Sequence, residues 1–70
     1  MSEALTNRMR ELREARGWTQ AELAARVGVS RKTVNTIENR VFIPSALLAL
    51  KLARAFDCAV EELFWLDAQE

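Results

Sequence analysis

Apolar residues near the start of the chain recur at helical spacing. Leu5, Met9 and Leu12 share one side, while Arg8, Arg10, Glu11 and Glu14 occupy the others. This period predicts an amphipathic helix over residues 4–16, ended by Gly17. Thr19 and Glu22 then form a T-x-x-E box, whose hydroxyl and carboxylate each satisfy a backbone group at a helix start, so a second helix is expected over 19–27. Trp18, just ahead of that box, is placed as a staple or core residue. Gly28 closes the second helix and Ser30, a good N-cap, opens a third over 30–39. Its apolar positions Val34 and Ile37 stop where the loop from Arg40 to Pro44 begins. Ser45 starts a fourth helix over 45–56, and a fifth covers about 60–66. With no repeat or linker, the pattern predicts an all-α, compact five-helix bundle forming one domain over 1–70.

The second and third helices are spaced as a closely packed, perpendicular pair requires. Leu23, Val27, Val34 and Ile37 point inward, Ala24 sits where the two would approach most closely, and Gly28 can take a positive φ without steric cost. The apolar side of the third helix is used up by Val34 and Ile37. Arg31, Lys32, Asn35, Thr36 and Asn39 are therefore left on its solvent side, which carries no acid. Arg and Lys donate to guanine O6 and N7, and Asn can bond adenine through both ends of its amide. A short helix with such readers near its N-terminus suits the major groove of double-stranded DNA.

Composition removes most other chemistries. The chain of 70 residues has no His and one Cys, so a zinc cluster, a His-activated nucleophile and a redox pair are not expected. Gly17 and Gly28 are isolated, which leaves no Gly-rich phosphate loop. An enzyme is not expected, nor are a metal, a cofactor or a small-molecule ligand. Cys58 reads as a small apolar residue. No apolar run reaches the roughly 18 residues of a membrane span, and the charged N-terminal segment is unlike a signal peptide, so the expected location is cytoplasmic.

Ten basic and ten acidic residues cancel to zero net charge, which argues against indiscriminate polyanion binding. The distribution does not cancel: residues 1–40 carry eight basic and five acidic side chains, net +3, and residues 41–70 carry two and five, net −3. The positive part holds the helices that would meet DNA, giving an orienting field.

The segment Gly17-Trp-Thr-Gln-Ala-Glu-Leu-Ala, with Val27-Gly-Val-Ser-Arg-Lys-Thr-Val and Ile37-Glu-Asn, resembles the XRE family of phage repressor and Cro-type helix-turn-helix regulators. The likeness runs over about residues 5–66. It implies a phage-repressor type fold in which helices two and three form the helix-turn-helix, and a homodimer on palindromic operator DNA. By the same resemblance Gln20, Arg31, Lys32, Asn35 and Thr36 are base readers, and Ser30, Asn39 and Arg40 touch phosphates. Arg13 and Glu38 match a pair that bridges helices one and three in some members. Arg40 stands where many members carry Gly, and the apolar Val41, Phe42 and Ile43 stand where some carry basic residues. Ala59 replaces a frequent Ser cap, at a cost to the fifth helix start of about 1 kcal/mol.

The fourth helix is more apolar than one core stripe requires, since only Lys51 and Arg54 interrupt it between Ala46 and Phe56. The fifth adds Leu63, Phe64, Trp65 and Leu66 in a row, of which at most two can face inward at helical spacing. Surplus apolar surface of this kind marks an interface. A homodimer contact is therefore expected over Leu47 on the fourth helix together with Trp65 and Leu66. The sequence supports a DNA-binding transcriptional regulator, in the form of a repressor; the alternative is a protein-interaction adaptor, or the antitoxin of a toxin pair, built on the same fold.

Overall fold

The computed structural model describes residues 2–69. Its elements are β1 (Ser2–Asn7), α1 (Met9–Ala15), α2 (Gln20–Val27), α3 (Arg31–Glu38), α4 (Ala46–Ala55), α5 (Val60–Leu63) and β2 (Phe64–Gln69). The five helices are present, but the two outer ones are shorter than their apolar pattern implied. Residues 4–7 of the expected first helix and 64–66 of the expected fifth are extended, and they pair as an antiparallel ribbon in the register Leu5↔Leu66, Thr6↔Trp65 and Asn7↔Phe64. The fold is thus mainly helical with a two-stranded sheet, which corrects the all-α reading.

The physical reason is visible at the joints. Asn7 Oδ1 accepts from the Met9 N–H at 3.0 Å, so helical hydrogen bonding begins there, and Asn7 Nδ2 donates to the Ile37 carbonyl at 3.1 Å. The Arg8 N–H donates to the Leu63 carbonyl at 3.1 Å, which ties the start of α1 to the end of α5. In a strand successive side chains point to opposite faces. Phe64 is buried there, whereas Trp65, on the opposite face, and Leu66, further along the ribbon, remain exposed.

The three inner helices begin where their cap residues stand. The Thr19 hydroxyl accepts from Glu22 N and the Glu22 carboxylate accepts from Thr19 N, both at 3.0 Å. Ser30 and Ser45 each accept from the backbone three residues on, at 3.1 Å. At α5, Ala59 has no hydroxyl to offer, yet Glu62 Oε1 accepts from the Ala59 N–H at 2.8 Å, so half of a capping box survives. Gly17 and Gly28 take φ of 69° and 76°, and they end α1 and α2 in the left-handed conformation that glycine adopts without a Cβ clash.

Met9, Leu23, Val34, Ile37, Leu52, Phe56 and Leu63 meet in the core, each essentially sealed from water. Ala24 is buried with them, as close packing of α2 on α3 requires. Trp18 lies half-buried against this core, its ring stacked on Phe56 at 5.7 Å with the Arg26 guanidinium 4.0 Å above it. The Cys58 thiol is half-buried, and burial pushes its pKa up, so it behaves as a packing residue. No helix among the described residues is long and apolar enough to cross a membrane, and none of their acidic or thiol side chains cluster as a metal site.

Candidate nucleic-acid interface

The outer side of α3 carries Arg31 and Lys32, both exposed, with Asn35 and Thr36 half-exposed behind them. Val34 and Ile37, at 0% and 1% exposure, fix the other side of the helix in the core, so its polar side can turn only outward. Among the described residues no side chain pairs with Lys32 or Arg40. Their charges are available to a partner from outside.

Arg13 and Glu38 form the ion pair between α1 and α3. Arg13 Nε donates to Glu38 Oε2 at 2.8 Å and Nη2 donates to Oε1 at 3.2 Å. The Arg13 side chain is 11% exposed and that of Glu38 is 0% exposed. Arg13 Nη1 also donates to the Trp18 carbonyl at 2.9 Å, so the guanidinium joins α1, the turn before α2, and α3. Burial alone would raise the Glu38 pKa, but hydrogen bonds from Arg13, Gln20 and Arg10, with the charge of Arg13, outweigh it and hold the carboxyl below its ordinary value. Its hydrogen bond to Glu38 likewise raises the Arg13 pKa. Arg10 approaches the same carboxylate from the surface at 3.4 Å.

Gln20 lies in the middle of this group. Its Nε2 donates to Glu38 Oε1 and to Asn35 Oδ1, both at 3.1 Å, and its Oε1 accepts from Arg31 Nη1 at 3.2 Å. The resemblance makes Gln20 a base reader at the start of the second helix, and its bonds to Glu38 and to two of the other expected readers are not legible in the sequence. Ser30 caps α3 through Thr33 N. The Thr36 hydroxyl donates back to the Lys32 or Thr33 carbonyl at 3.0 Å, which spends its proton and leaves its oxygen as an acceptor. Asn39 folds over the end of α3, its Nδ2 donating to the Asn35 carbonyl at 2.9 Å. Arg40 follows with φ of 62°, in the left-handed region that favours glycine, so its backbone is strained.

A helix-turn-helix family profile matches residues 9–63, from the start of α1 to the end of α5. This chain belongs to the XRE-type helix-turn-helix family. It is 43% identical over 65 residues to the HTH-type transcriptional regulator YgzD of Bacillus subtilis, a match covering 93% of this chain and 98% of that one. Among solved structures it is similar to the restriction-modification controller protein C.AhdI of Aeromonas hydrophila, with TM-score 0.74, 40% identity, and coverage of 79% of this chain and 83% of the other. It is also similar to the P22 c2 repressor solved with a synthetic operator, with TM-score 0.75, 30% identity, and coverage of 77% and 82%.

The expected dimer residues fall in different places. Leu47 is 66% exposed on α4 and lines a shallow depression with Val27, Val29 and Lys51, beside the turn between α2 and α3. Trp65 faces α1 instead, with the Arg8 guanidinium 5.0 Å from its ring. Leu66, its strand neighbour, points to the opposite face of the ribbon. The structure adds one exposed apolar residue beside Leu47, namely Leu50 one helical turn along α4, at 60% exposure, while Val41, Phe42 and Ile43 are exposed in the loop before the helix.

Proposed function

We propose that this protein is a sequence-specific regulator of transcription that binds double-stranded DNA in the cytoplasm, as a homodimer on a pseudo-palindromic operator, and acts as a repressor. Here α2 and α3 are the helix-turn-helix, and α3 enters the major groove. The observation that carries this reading is the outward face of α3: exposed Arg31 and Lys32, no acid, and a helix anchored from behind by the buried Arg13–Glu38 pair. The likeness to a repressor solved on its operator supports it. Arg31, Lys32, Asn35 and Thr36 lie where base edges would be met, and the cap of α3 at Ser30, with Asn39 and Arg40 beyond its far end, lies where phosphate backbone would pass on either side.

We place the contact between copies on Leu47, flanked by Leu50 one turn along α4, since both are large apolar side chains exposed on one helix. Of Trp65 and Leu66, only one can join any single flat contact, because they face opposite ways. Leu47→Asp is expected to turn the dimer into monomer in sedimentation; a dimer that survives this change moves the contact to the ribbon.

The deciding experiment is selection from random duplexes followed by titration against salt. A dyad-symmetric site with half-sites about 34 Å apart is expected, with affinity falling linearly in log salt at about −0.9 per phosphate neutralised. A flat salt response and no enriched site would reject the reading in favour of an adaptor that uses the fold for protein contacts.

A further inference from the structure

Glu38 is buried and ionised, so its oxygens can only accept hydrogen bonds. That fixes the orientation of the neighbouring Gln20 amide: its Nε2 must face Glu38, and its Oε1 is thereby turned toward Arg31. The second hydrogen on Nε2 goes to Asn35 Oδ1. Asn35 Oδ1 also accepts from Asn39 Nδ2 at 3.2 Å, so both of its lone pairs are occupied within the protein. Among the described residues nothing accepts from Asn35 Nδ2. Asn35 therefore presents hydrogen-bond donors outward and no acceptor.

Arg31 gives one of its five N–H groups to Gln20 and keeps the others for a partner. Lys32 has donors only, and the Thr36 hydroxyl proton is spent on its own helix. Arg31, Lys32 and Asn35 thus present only donors, while the Thr36 oxygen, its proton spent, keeps acceptor capacity. In the major groove guanine shows two acceptors, N7 and O6, thymine shows one, O4, cytosine shows only a donor, and adenine shows one of each, so neighbouring donors are best met by guanine. An asparagine reading adenine through both ends needs its oxygen free, which it is not here.

We propose that Gln20 is a positioning residue and not a base reader: held by Glu38, it leaves Arg31 and Asn35 to present donors alone, which select guanine opposite them. This rests on α3 being the DNA-contacting helix. It concerns which bases that helix prefers and what sets the preference, neither of which follows from DNA binding alone.

The test compares selected sites for the wild type, Arg31→Ala, Asn35→Ala and Gln20→Met. The two alanine variants identify which base positions belong to Arg31 and Asn35. Wild type is expected to enrich guanine at both. Gln20→Met leaves the Arg13–Glu38 pair in place but frees one of the two lone pairs of Asn35 Oδ1, so the adenine-to-guanine ratio at the Asn35 position is expected to rise about tenfold, the order of one bidentate base contact. In the free protein, 15N spectra of wild type should show Gln20 side-chain amide protons exchanging about tenfold more slowly than those of an exposed glutamine, as protection by hydrogen bonding requires. Adenine selected by wild type at the Asn35 position, or a Gln20→Met preference unchanged there, overturns the inference while leaving DNA binding intact. Loss of preference at a position touched by neither Arg31 nor Asn35 also overturns it, because Gln20 would then be reading a base directly. Failure of wild type to enrich any site overturns the proposed function, and the inference falls with it.

Discussion

The α2–α3 pair and the terminal ribbon are built on opposite principles. In the pair, every boundary is set within a few residues: the caps at Thr19 and Ser30 and the left-handed Gly28 are neighbours of the helices they bound. Its inner side is welded to the core by Leu23, Val27, Val34 and Ile37, and its outer side is positioned by the Arg13–Glu38 and Gln20 hydrogen bonds. The ribbon has less of both kinds of support. Its two strands come from opposite ends of the chain, their outer edges carry no further strand, and its anchors are Phe64, the partly buried Leu5 and the hydrogen bonds around Asn7 and Arg8. Two-stranded sheets are marginal in water by themselves. The molecule spends its rigidity where a reading surface must not move.

The sharpest way to break this contrast is to remove the brace of the rigid region. Glu38→Ala strands the buried Arg13 guanidinium, and a loss of about 3 to 5 kcal/mol in unfolding free energy is expected from urea titration. Arg10→Ala removes only the exposed arm of the same cluster and should cost about 1 kcal/mol or less. Equal losses would mean that the buried pair is no brace.

The same carboxylate has a pH signature. Its folded pKa lies below the unfolded glutamate value of about 4.3, so its contribution is fully present above that value and is lost as pH falls through the lower, folded one. Glu38 should therefore add no pH dependence to thermal melts above about pH 5, and the decline in more acidic solution should be shallower in Glu38→Ala. An identical acid decline in both proteins would assign it to other carboxylates, Glu22 among them, whose pKa is lowered by the Thr19 backbone and hydroxyl.

Hydrogen exchange measures the two regions side by side. Ribbon amides from Glu3 to Thr6 should open with free energies at least about 2 kcal/mol below those of Val34 and Ile37, which are expected to exchange only through global unfolding. Uniform protection would show the ribbon to be part of the core unit. The smallest effect is expected at the end of α3: Arg40→Gly relieves a left-handed backbone at the cost of a more flexible unfolded chain, for a net gain of about 0.5 to 1 kcal/mol in a melt. If Arg40 contacts phosphate as proposed, the same change should weaken DNA binding for all sequences alike, whereas Arg31→Ala should relax preference at one base position per half-site.

What the sequence made legible follows the same division. Thr19, Ser30 and Ser45 act locally, and each stands in the structure as the cap its position implied. The Arg13–Glu38 pair was legible only through the family resemblance, because nothing local links residues so far apart in the chain. Leu5 and Leu66 fit a helical period and were read that way; their pairing is a long-range event that no window of neighbouring residues contains. One local signal was available at the joint, where Asn7 is a good helix-start residue placed just ahead of Met9. The role of Gln20 could not be read, since it depends on which end of an amide faces a buried carboxylate.

The register of β1 against β2 also bears on the order of assembly. Aligning Asn7 with Phe64 closes a loop that contains every helix of the fold, whereas the caps and turns of α2, α3 and α4 need only neighbours to meet. The entropy of bringing distant ends together is repaid only after the chain between them has become compact. The ribbon is therefore the last part to form and the first to come apart, and mutations within it should speed unfolding while leaving the folding rate almost untouched.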